Sequence, residues 1–465
     1  MMNITQVRIE PLQFERLHES VVKVFAPETY LSRIEKVLAL AKKEGLTHLI
    51  IYADREHFAN LHYFTGFDPR FEEALLILAP DKKPLLLLGN EGVLYATIIP
   101  YDLDMVLFQS FSLNGQQRDP ETIEVLDKAF NQMGIKPTSR LGLIGWKYFI
   151  PAEGKSYDTM FDLPHFLVEK LEQIVTLKGM KNVASFMVDP SFGLRTTLDV
   201  DEIAVLELAG TKTSRSVLNF LSKLKPGVSE IEASSYLEID GDPLIAHPVV
   251  NFTAEGIRQG LASPGSHKLQ LDSVCNVGFG YRSSMVARTG LYTSDSAKFK
   301  KVWDELLVPY FRMMVIWYET IGIGVTGKTV VERIKREIPE FDSFGIGLNP
   351  GHLIHNDEWT TSVFTETDDF PLRNGMAIQS DIIAAPVGLP GMHLEDGLAL
   401  ADSQLRANFK EKYPEAWQRI ERRRNFMKEV LGIQIKDEVL PFSDIQGCMF
   451  PWMADLGIVM AVDKK

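Results

Sequence analysis

Histidine and carboxylate side chains collect in three short segments in the last quarter of the chain. His352 and His355 lie in "PGHLIHNDEW", Asp381 lies in "AIQSDIIA", and His393 and Glu395 lie in "MHLEDGLAL". The last two segments have the composition of β-strands, and residues two apart on a strand point to the same face. His393 and Glu395 therefore share a face, and Asp381 is expected on the strand beside them.

Two facing carboxylates, Asp381 and Glu395, suit two kinds of chemistry. Without a metal ion they cannot both ionise at low cost, so one of the two pKa values is expected to rise. The pair can shuttle a proton with His355 or His393 as partner, or it can clamp a cationic amine or guanidinium. The structural alternative is that the carboxylates are satisfied by backbone donors or water and that the histidines are ordinary loop or core residues.

Composition excludes several classes of protein. The chain has 465 residues, a formal net charge of −13 and 45% hydrophobic residues, which indicates a globular protein of at least two domains. The acidic balance argues against a nucleic-acid partner. The two cysteines are far apart, and neither a signal peptide nor a bilayer-spanning segment is evident, so we expect a cytoplasmic protein without a membrane partner.

The pattern of elements predicts two domains. Residues 1–185 alternate helical and strand segments, including the buried strand "THLIIYA" and the hairpin "ALLILAPDKKPLLLLG", as in an α/β domain. Residues 190–465 contain strands and helices in blocks, as in an α+β domain, and end with a charged helix predicted over 408–431 and a tail.

A phosphate-binding loop is suggested by "GIGVTGKT", residues 322–329, which fits the G-x-x-x-x-G-K-[ST] pattern. That motif requires a buried strand before its glycines so that the loop backbone faces the phosphates. The preceding segment "VWDELLVPYFRMMVIWYET" has helical periodicity and is too long for a strand. We therefore predict a turn between two helices, and no nucleotide.

Seven segments in their order along the chain resemble the creatinase/prolidase/aminopeptidase P superfamily. They are "HYFTGFDPRFEEALLIL", "DEIAVLELAG", "LKPGVSEIEA", "YRSSMVARTG", "GIGLNPGHLIHNDEW", "NGMAIQSDIIAAP" and "GMHLEDGLAL". The resemblance implies a creatinase-type α/β N-terminal domain followed by an α+β "pita-bread" domain.

Peptidases of this superfamily hold two divalent metal ions between two Asp, one His and two Glu residues. In the hairpin "NVGFGYRSSMVART" the first Asp position falls on Asn276, and the second falls on Met285, or on Ser284 in an alternative alignment. Neither an amide nor a thioether replaces a bridging carboxylate between two dications. The hairpin therefore lacks both acidic ligands.

The other three ligand positions lie in the later segments. The His position falls on Leu348, although a shifted alignment offers His352, while the two Glu positions fall on Asp381 and Glu395. Because only two of five positions keep an acid, we expect no metal cofactor. A single weakly bound ion on Asp381, Glu395 and one histidine remains the alternative.

Creatinase works without metal and resembles this chain in the Asn at the first Asp position and in the Arg-Thr pair that follows the hairpin. Two departures are clear: its Glu before that pair is Ala287 here, and its catalytic His falls near Gln259–Gly260. Glu395 matches one of its substrate-gripping Glu residues. Arg70 resembles the Arg with which creatinase holds its substrate. The alternative is that Arg70 is an ordinary surface residue.

Three functional hypotheses follow, and each needs a small-molecule or short-peptide ligand. The first is a metal-independent hydrolase of a small C–N substrate, the second a catalytically inactive homologue that binds a ligand or partner, and the third an Xaa-Pro peptidase with a single metal. The resemblance also implies a homodimer. The predicted catalytic residues are Glu395, Asp381, His355 and His393, and the predicted substrate-binding residues are Arg70, Asn276 and His352.

Overall fold

The structure is a computed structural model that describes residues 2–253 and 260–463. The chain divides into two compact units, one formed by Lys23–Arg195 and the other by Met1–Val22 together with Thr196–Lys465. The sequence-based division at residues 185–190 assigns the first 22 residues differently. Those residues join the second unit because a strand within them pairs with the last strand of the chain.

The strands of the described residues are numbered in chain order. They are β1 (Ile4–Arg8), β2 (His48–Ala53), β3 (Ala74–Leu78), β4 (Leu85–Leu88), β5 (Asp104–Leu107), β6 (Leu141–Ile144), β7 (Met180–Asn182), β8 (Val249–Thr253), β9 (Ser273–Phe279), β10 (Val286–Tyr292), β11 (His352–Leu353), β12 (Ala377–Ala384), β13 (Met392–Leu400), β14 (Val439–Pro441) and β15 (Ile458–Val462).

The helices are numbered in the same way. They are α1 (Pro27–Lys43), α2 (Ala59–Thr65), α3 (Gly92–Tyr95), α4 (Thr122–Met133), α5 (His165–Val175), α6 (Ser185–Val188), α7 (Val200–Lys223), α8 (Glu230–Ser234), α9 (Lys300–Val302), α10 (Val308–Thr320), α11 (Gly327–Glu337), α12 (Ser403–Lys412) and α13 (Pro414–Glu429). Each is too short or too polar to cross a lipid bilayer, within the part of the chain that the structure describes.

The unit Lys23–Arg195 is a mixed sheet with helices packed on it. Its strand order is β5-β4-β3-β2-β6-β7, in which β3 runs antiparallel to both of its neighbours. Side chains alternate between two hydrophobic cores: Leu49 and Ile51 face one, while Ile50 and Tyr52 face the other. Because both faces are covered, these strands are apolar throughout, and the predicted buried strand and the β3–β4 hairpin are confirmed.

The second unit contains an antiparallel sheet in the order β11-β12-β13-β10-β9-β8, with β14 also paired to β13. The register places Asp381 beside Glu395 and Glu395 beside Ala287. It also pairs Ala287 with Gly278. Residues from four strands therefore meet in one row across the sheet, and this row carries the two predicted carboxylates.

Two sequence-based predictions about helices have opposite outcomes. The predicted helix–helix turn at "GIGVTGKT" is confirmed, because α10 precedes it and Thr326 caps α11 by accepting a hydrogen bond from the backbone N–H of Thr329. The single charged helix over 408–431 is wrong. The chain breaks at Tyr413 between α12 and α13, because Pro414 disfavours helical geometry in the residue before it.

Candidate functional site

Strands β12 and β13 bring Asp381, His393 and Glu395 together on one face of the sheet. Nε2 of His393 lies 2.9 Å from Oδ1 of Asp381 and 3.3 Å from Oε2 of Glu395. The side chains are 15%, 7% and 3% exposed in the order His393, Asp381, Glu395, so the imidazole is the most accessible of the three. One ring nitrogen therefore bridges two buried carboxylates.

Charges in this cluster shift one another's pKa values. Burial opposes the charge on His393, but its hydrogen bonds to Asp381 and Glu395 outweigh burial and raise the His393 pKa to about 10. Burial, together with repulsion from Asp381, raises the pKa of Glu395 to about 7 despite the attraction of His393. Burial also acts against ionised Asp381, but His393 and His352 lower its pKa. The cluster thus holds the protonated imidazole of His393, the ionised carboxylate of Asp381 and the carboxyl group of Glu395, which loses its proton near neutral pH.

His352 supplies a second imidazole at the same site. Its ring is fully buried and stacks on Trp359 at 4.3 Å, while Nε2 lies 3.0 Å from Oε1 of Glu358 and 4.0 Å from Oδ2 of Asp381. Burial lowers its pKa, yet the charges of Glu358, Asp381 and Glu395 raise it to about 9. The positive charges of His352 and His393 therefore offset the negative charges of the carboxylates around them.

Asn276 takes part in a chain of hydrogen bonds rather than pointing an open amide oxygen at the carboxylates. Its Oδ1 accepts a hydrogen bond of 2.8 Å from Oγ1 of Thr289, and that hydroxyl oxygen accepts one of 3.2 Å from the backbone N–H of His393. The register explains this arrangement, since Asn276 pairs with Thr289 on adjacent strands. The structure thus links the predicted substrate-binding Asn276 to the backbone of His393.

Gln379 is a site residue that the sequence-based prediction omits. Its side-chain Nε2 donates to the backbone oxygen of Met285 at 2.5 Å and to Oε1 of Glu395 at 3.0 Å. The amide therefore ties the β9–β10 hairpin to the carboxylate. Strand alternation already places Gln379 on the face of Asp381, but its two partners come from β13 and from the β9–β10 hairpin and depend on the register.

The buried pair Arg288–Asp396 supports the site from the opposite face of β13. Nη2 of Arg288 donates to both carboxylate oxygens of Asp396 at 2.8 Å, and Nη1 donates to the backbone oxygen of Glu395 at 3.0 Å. Both side chains are fully buried. This arrangement fixes β10 against β13 beside Glu395.

His355 and Arg70 have partners other than the two carboxylates. Nε2 of His355 lies 3.2 Å from Oε1 of Glu202, near the start of α7. Arg70 lies in the other unit, where it pairs with Asp68 and donates to the hydroxyl of Tyr95. Their catalytic and substrate-binding roles stay predictions. Gln259, near the creatinase His position, lies outside the described residues.

Comparison with known proteins identifies the fold that holds this site. Residues 33–145 match the family model described as the Creatinase/Prolidase N-terminal domain. The structure is similar to the Xaa-Pro dipeptidase of Bacillus anthracis, with a TM-score of 0.61 and 18% identity, covering 81% of this chain and 96% of that one. The chain has the fold of the prolidases.

Two further solved structures show the same fold. The prolidase of Pyrococcus horikoshii gives a TM-score of 0.62 at 15% identity, covering 80% of this chain and 95% of its own. The X-Pro aminopeptidase of Thermotoga maritima gives 0.61 at 17% identity, with the same coverage. No curated protein matches the sequence. The creatinase-type N-terminal domain and the pita-bread fold predicted from the sequence are therefore confirmed.

The residues of this prolidase-like fold do not fit the two metal ions that the resemblance implies. The amide oxygen of Asn276 is engaged by Thr289, and the terminal methyl group of Met285 packs over Gly278. Leu348 is 50% exposed and carries no donor atom, whereas His352 is the buried imidazole near Asp381. Both ligand positions of the hairpin thus lack a carboxylate donor for a second dication.

The imidazolium groups make the free energy of unfolding depend on pH. The pKa values of His393 and His352 are raised from about 6.5 to about 10 and about 9, so the stabilisation is complete below pH 6.5 and is lost as pH rises through 9 and 10. We expect this free energy to fall by about 1 kcal/mol per pH unit for each imidazolium between pH 7 and pH 9.

Urea unfolding at pH 7, 8, 9 and 10 measures this dependence. In His393→Asn the free energy of unfolding should fall less steeply with pH, because one of the two imidazolium groups is gone. The same substitution at the exposed His18 should leave this pH dependence unchanged. An unchanged slope in His393→Asn would show that His393 is not protonated in the native state.

Proposed function

We propose that the chain is a metal-independent hydrolase that cleaves a C–N bond in a small substrate. The observation that carries the proposal is the position of His393 Nε2, within 3.3 Å of both Asp381 and Glu395. The names of the similar structures, Xaa-Pro dipeptidase and X-Pro aminopeptidase, support a C–N bond as the target. A short peptide or a small amide or guanidino compound is the corresponding substrate class.

In the proposed reaction Glu395 acts as the base and His393 as the acid. Glu395 accepts a proton from a water molecule whose oxygen forms the new bond to the substrate carbon. The C–N bond breaks as the His393 imidazolium donates a proton to the leaving nitrogen. Because Glu395 and His393 are 3.3 Å apart, the proton on Glu395 can then return to His393. Asp381 keeps the imidazole oriented and charged.

The remaining site residues have binding roles in this proposal. His352, held by Glu358 and stacked on Trp359, supplies a positive charge that stabilises negative charge developing on the substrate oxygen or nitrogen. Asn276 orients His393 through Thr289. His355 is proposed to contact one end of the substrate, and the substrate-binding role of Arg70 stays a prediction. We also propose a homodimer, which light scattering after size exclusion would measure.

Turnover by metal-free protein tests the proposal. The protein is treated with chelator, its metal content is verified by mass spectrometry, and it is incubated with Xaa-Pro dipeptides and with guanidino and amide compounds. We expect hydrolysis of at least one class at a rate that added Mn²⁺, Co²⁺ or Zn²⁺ does not increase. Hydrolysis that requires stoichiometric metal, or ligand binding without any turnover, would contradict the proposal.

A single-metal peptidase is the second candidate function, because the donor atoms of Asp381, His393 and Glu395 lie within 4.8 Å of one another. The same holds for His352, Glu358 and Glu395. Each set includes a histidine that must lose its proton before it can bind a metal ion. The raised histidine pKa values therefore oppose metal binding at neutral pH.

Calorimetric titration with Zn²⁺ in buffers of different ionisation enthalpy separates these two functions. We expect affinity to rise about tenfold per pH unit between pH 7 and pH 9, with about one proton released per bound ion, since binding must displace the proton of one imidazolium. His393→Asn should reduce the proton release, and His18→Asn should not. Tight binding at pH 6 without proton release would favour the single-metal peptidase.

A further inference from the structure

A cavity of about 100 Å³ lies in the second unit beneath an irregular N-terminal segment, residues 11–22, which we call the N-terminal strap. Its walls come from the strap, from α7, from the residues that follow α8 and from the β9–β10 hairpin. They are formed by Phe14, Arg16, Leu17, Lys212, Arg215, Ser216, Asn219, Leu237, Glu238, Asp240 and Tyr281. A cavity of this volume has room for more than one water molecule.

The strap is fastened over the cavity by polar contacts. Asp242 accepts hydrogen bonds from the hydroxyl of Ser20 at 2.6 Å and from the backbone N–H of Val21 at 3.0 Å. Lys212 donates to the backbone oxygen of Glu19 at 3.1 Å. These contacts hold the end of the strap against α7, so the strap has a fixed position in the wall of the cavity.

Lys212 is a buried cation in the cavity wall whose charge is already balanced. Its ammonium group pairs with Asp242 and lies 2.9 Å from Oδ2 of Asp240 and 4.8 Å from the ring centre of Tyr281. Only 4% of its side chain is exposed. Burial opposes its charge, but Asp242 and Asp240 outweigh burial and raise its pKa. Lys212 thus keeps Asp240 ionised at the cavity wall.

Arg16 differs from Lys212 because its ion pairs in the cavity are loose. Its guanidinium nitrogens lie 3.8 Å from Oε2 of Glu238 and 3.8 Å from Oδ2 of Asp240, beyond the 2.7–2.9 Å of a close charge-assisted hydrogen bond. Its close hydrogen bond, 2.6 Å, goes to the backbone oxygen of Glu238. The backbone oxygen of Glu238 therefore fixes the position of the guanidinium. The gaps between the guanidinium and the two carboxylates leave room for the charged groups of a ligand.

The balance of charges decides which ligand can enter. Glu238 also pairs with Lys223, and Asp240 with Lys212. An anion that bound Arg16 would take away the second counter-charge of both carboxylates, and a cation bound to Asp240 would repel Arg16 and Lys212. A molecule with both charges can give its carboxylate to Arg16 and its ammonium to Glu238 and Asp240. Apolar side chains of Phe14, Leu17 and Leu237 complete the wall and suit a short aliphatic group.

We propose that this cavity is a second binding site, separate from the carboxylate–imidazole cluster, for a small zwitterion of the α-amino acid class. The carboxylate of the ligand binds Arg16, its ammonium group binds Asp240 and Glu238, and its side chain contacts Leu17 and Leu237.

The test uses the full chain and three matched probes: alanine, N-acetylalanine, which lacks the positive charge, and alaninamide, which lacks the negative one. Alanine in excess should raise the midpoint of thermal unfolding by roughly 2 °C or more, because it binds only the folded protein. The two singly charged probes should give no shift. Equal shifts with all three probes, or none with alanine, would overturn the proposal.

Variants of the cavity wall locate the binding site. Arg16→Gln and Asp240→Asn should each weaken alanine binding about tenfold, measured by calorimetric titration. Arg8→Gln is the matched control, because Arg8 precedes the strap and pairs with the exposed Asp455 outside the cavity. Arg16 is 42% exposed, so its replacement is tolerated by the fold. Unchanged alanine affinity in Arg16→Gln would place any observed binding elsewhere.

Discussion

Glu395→Gln is expected to lower kcat by about a hundredfold to ten-thousandfold on whichever substrate the metal-free protein hydrolyses, the range found when a general base is removed. Glutamine has nearly the shape of glutamate, so the strand register with Asp381 is preserved. It cannot accept the proton of the attacking water. Its amide must also turn its oxygen toward Nε2 of Gln379, which leaves N–H groups facing the imidazolium of His393.

The pH dependence of kcat gives the same substitution a second readout. In the wild-type protein kcat should rise as Glu395 loses its proton near pH 7 and fall as His352 and His393 lose theirs near pH 9 and pH 10. Glu395→Gln should remove the rising limb, and His393→Asn should remove the part of the fall near pH 10. Measurement of kcat from pH 5 to pH 11 records both limbs.

Two further variants serve as controls for Glu395→Gln. Glu305→Gln replaces a surface glutamate that pairs loosely with Lys301, and kcat should not change. Glu395→Asp keeps the carboxylate but shortens the side chain, so part of the activity should remain. Wild-type kcat in Glu395→Gln would show that this carboxylate is not the base.

Local patterns in the sequence predict much of the fold. The apolar segments that form β2, β3 and β4 alternate between two buried faces, so their strand character is visible within a few residues. Pairing of β1 with β15 cannot be predicted in this way, because its partners are separated by more than 400 residues. The break at Tyr413 is predictable from Pro414, but the continuous charged pattern on both sides favours a single helix.

The candidate site is predictable where a single strand carries the information. Spacing of two residues puts His393 and Glu395 on one face, and the register of β12 then adds Asp381. Contacts that join separate elements are not predictable, such as Gln379 with Met285 and His355 with Glu202. They depend on how strands, loops and α7 meet in three dimensions, which spacing along the chain does not encode.

A second large effect is expected far from the cluster, in a buried network between α7, α13 and the loop after β14. Glu207 is fully buried and accepts hydrogen bonds from Arg419 at 3.0 and 2.5 Å and from Arg423 at 2.6 Å. Asp444, also fully buried, accepts from Arg423 at 2.8 Å and from Arg215 at 2.7 Å. These cations hold the pKa of Asp444 far below its ordinary value, despite the cost of burial.

Glu207→Gln should lower the free energy of unfolding by about 3–5 kcal/mol, because it leaves the guanidinium of Arg423 buried with only Asp444 as a counter-charge. Urea unfolding at pH 7 measures the change. Glu421→Gln on α13 is the matched control. It removes an ion pair to Arg424 of 3.4 Å in which the glutamate is 47% exposed, so the loss should stay below about 0.5 kcal/mol.

Combining Glu207→Gln with Arg423→Met should lower the free energy of unfolding by less than the sum of the two single variants, because Arg423→Met removes the cation that Glu207→Gln left unpaired. Strict additivity would show that Glu207 acts through packing rather than through charge.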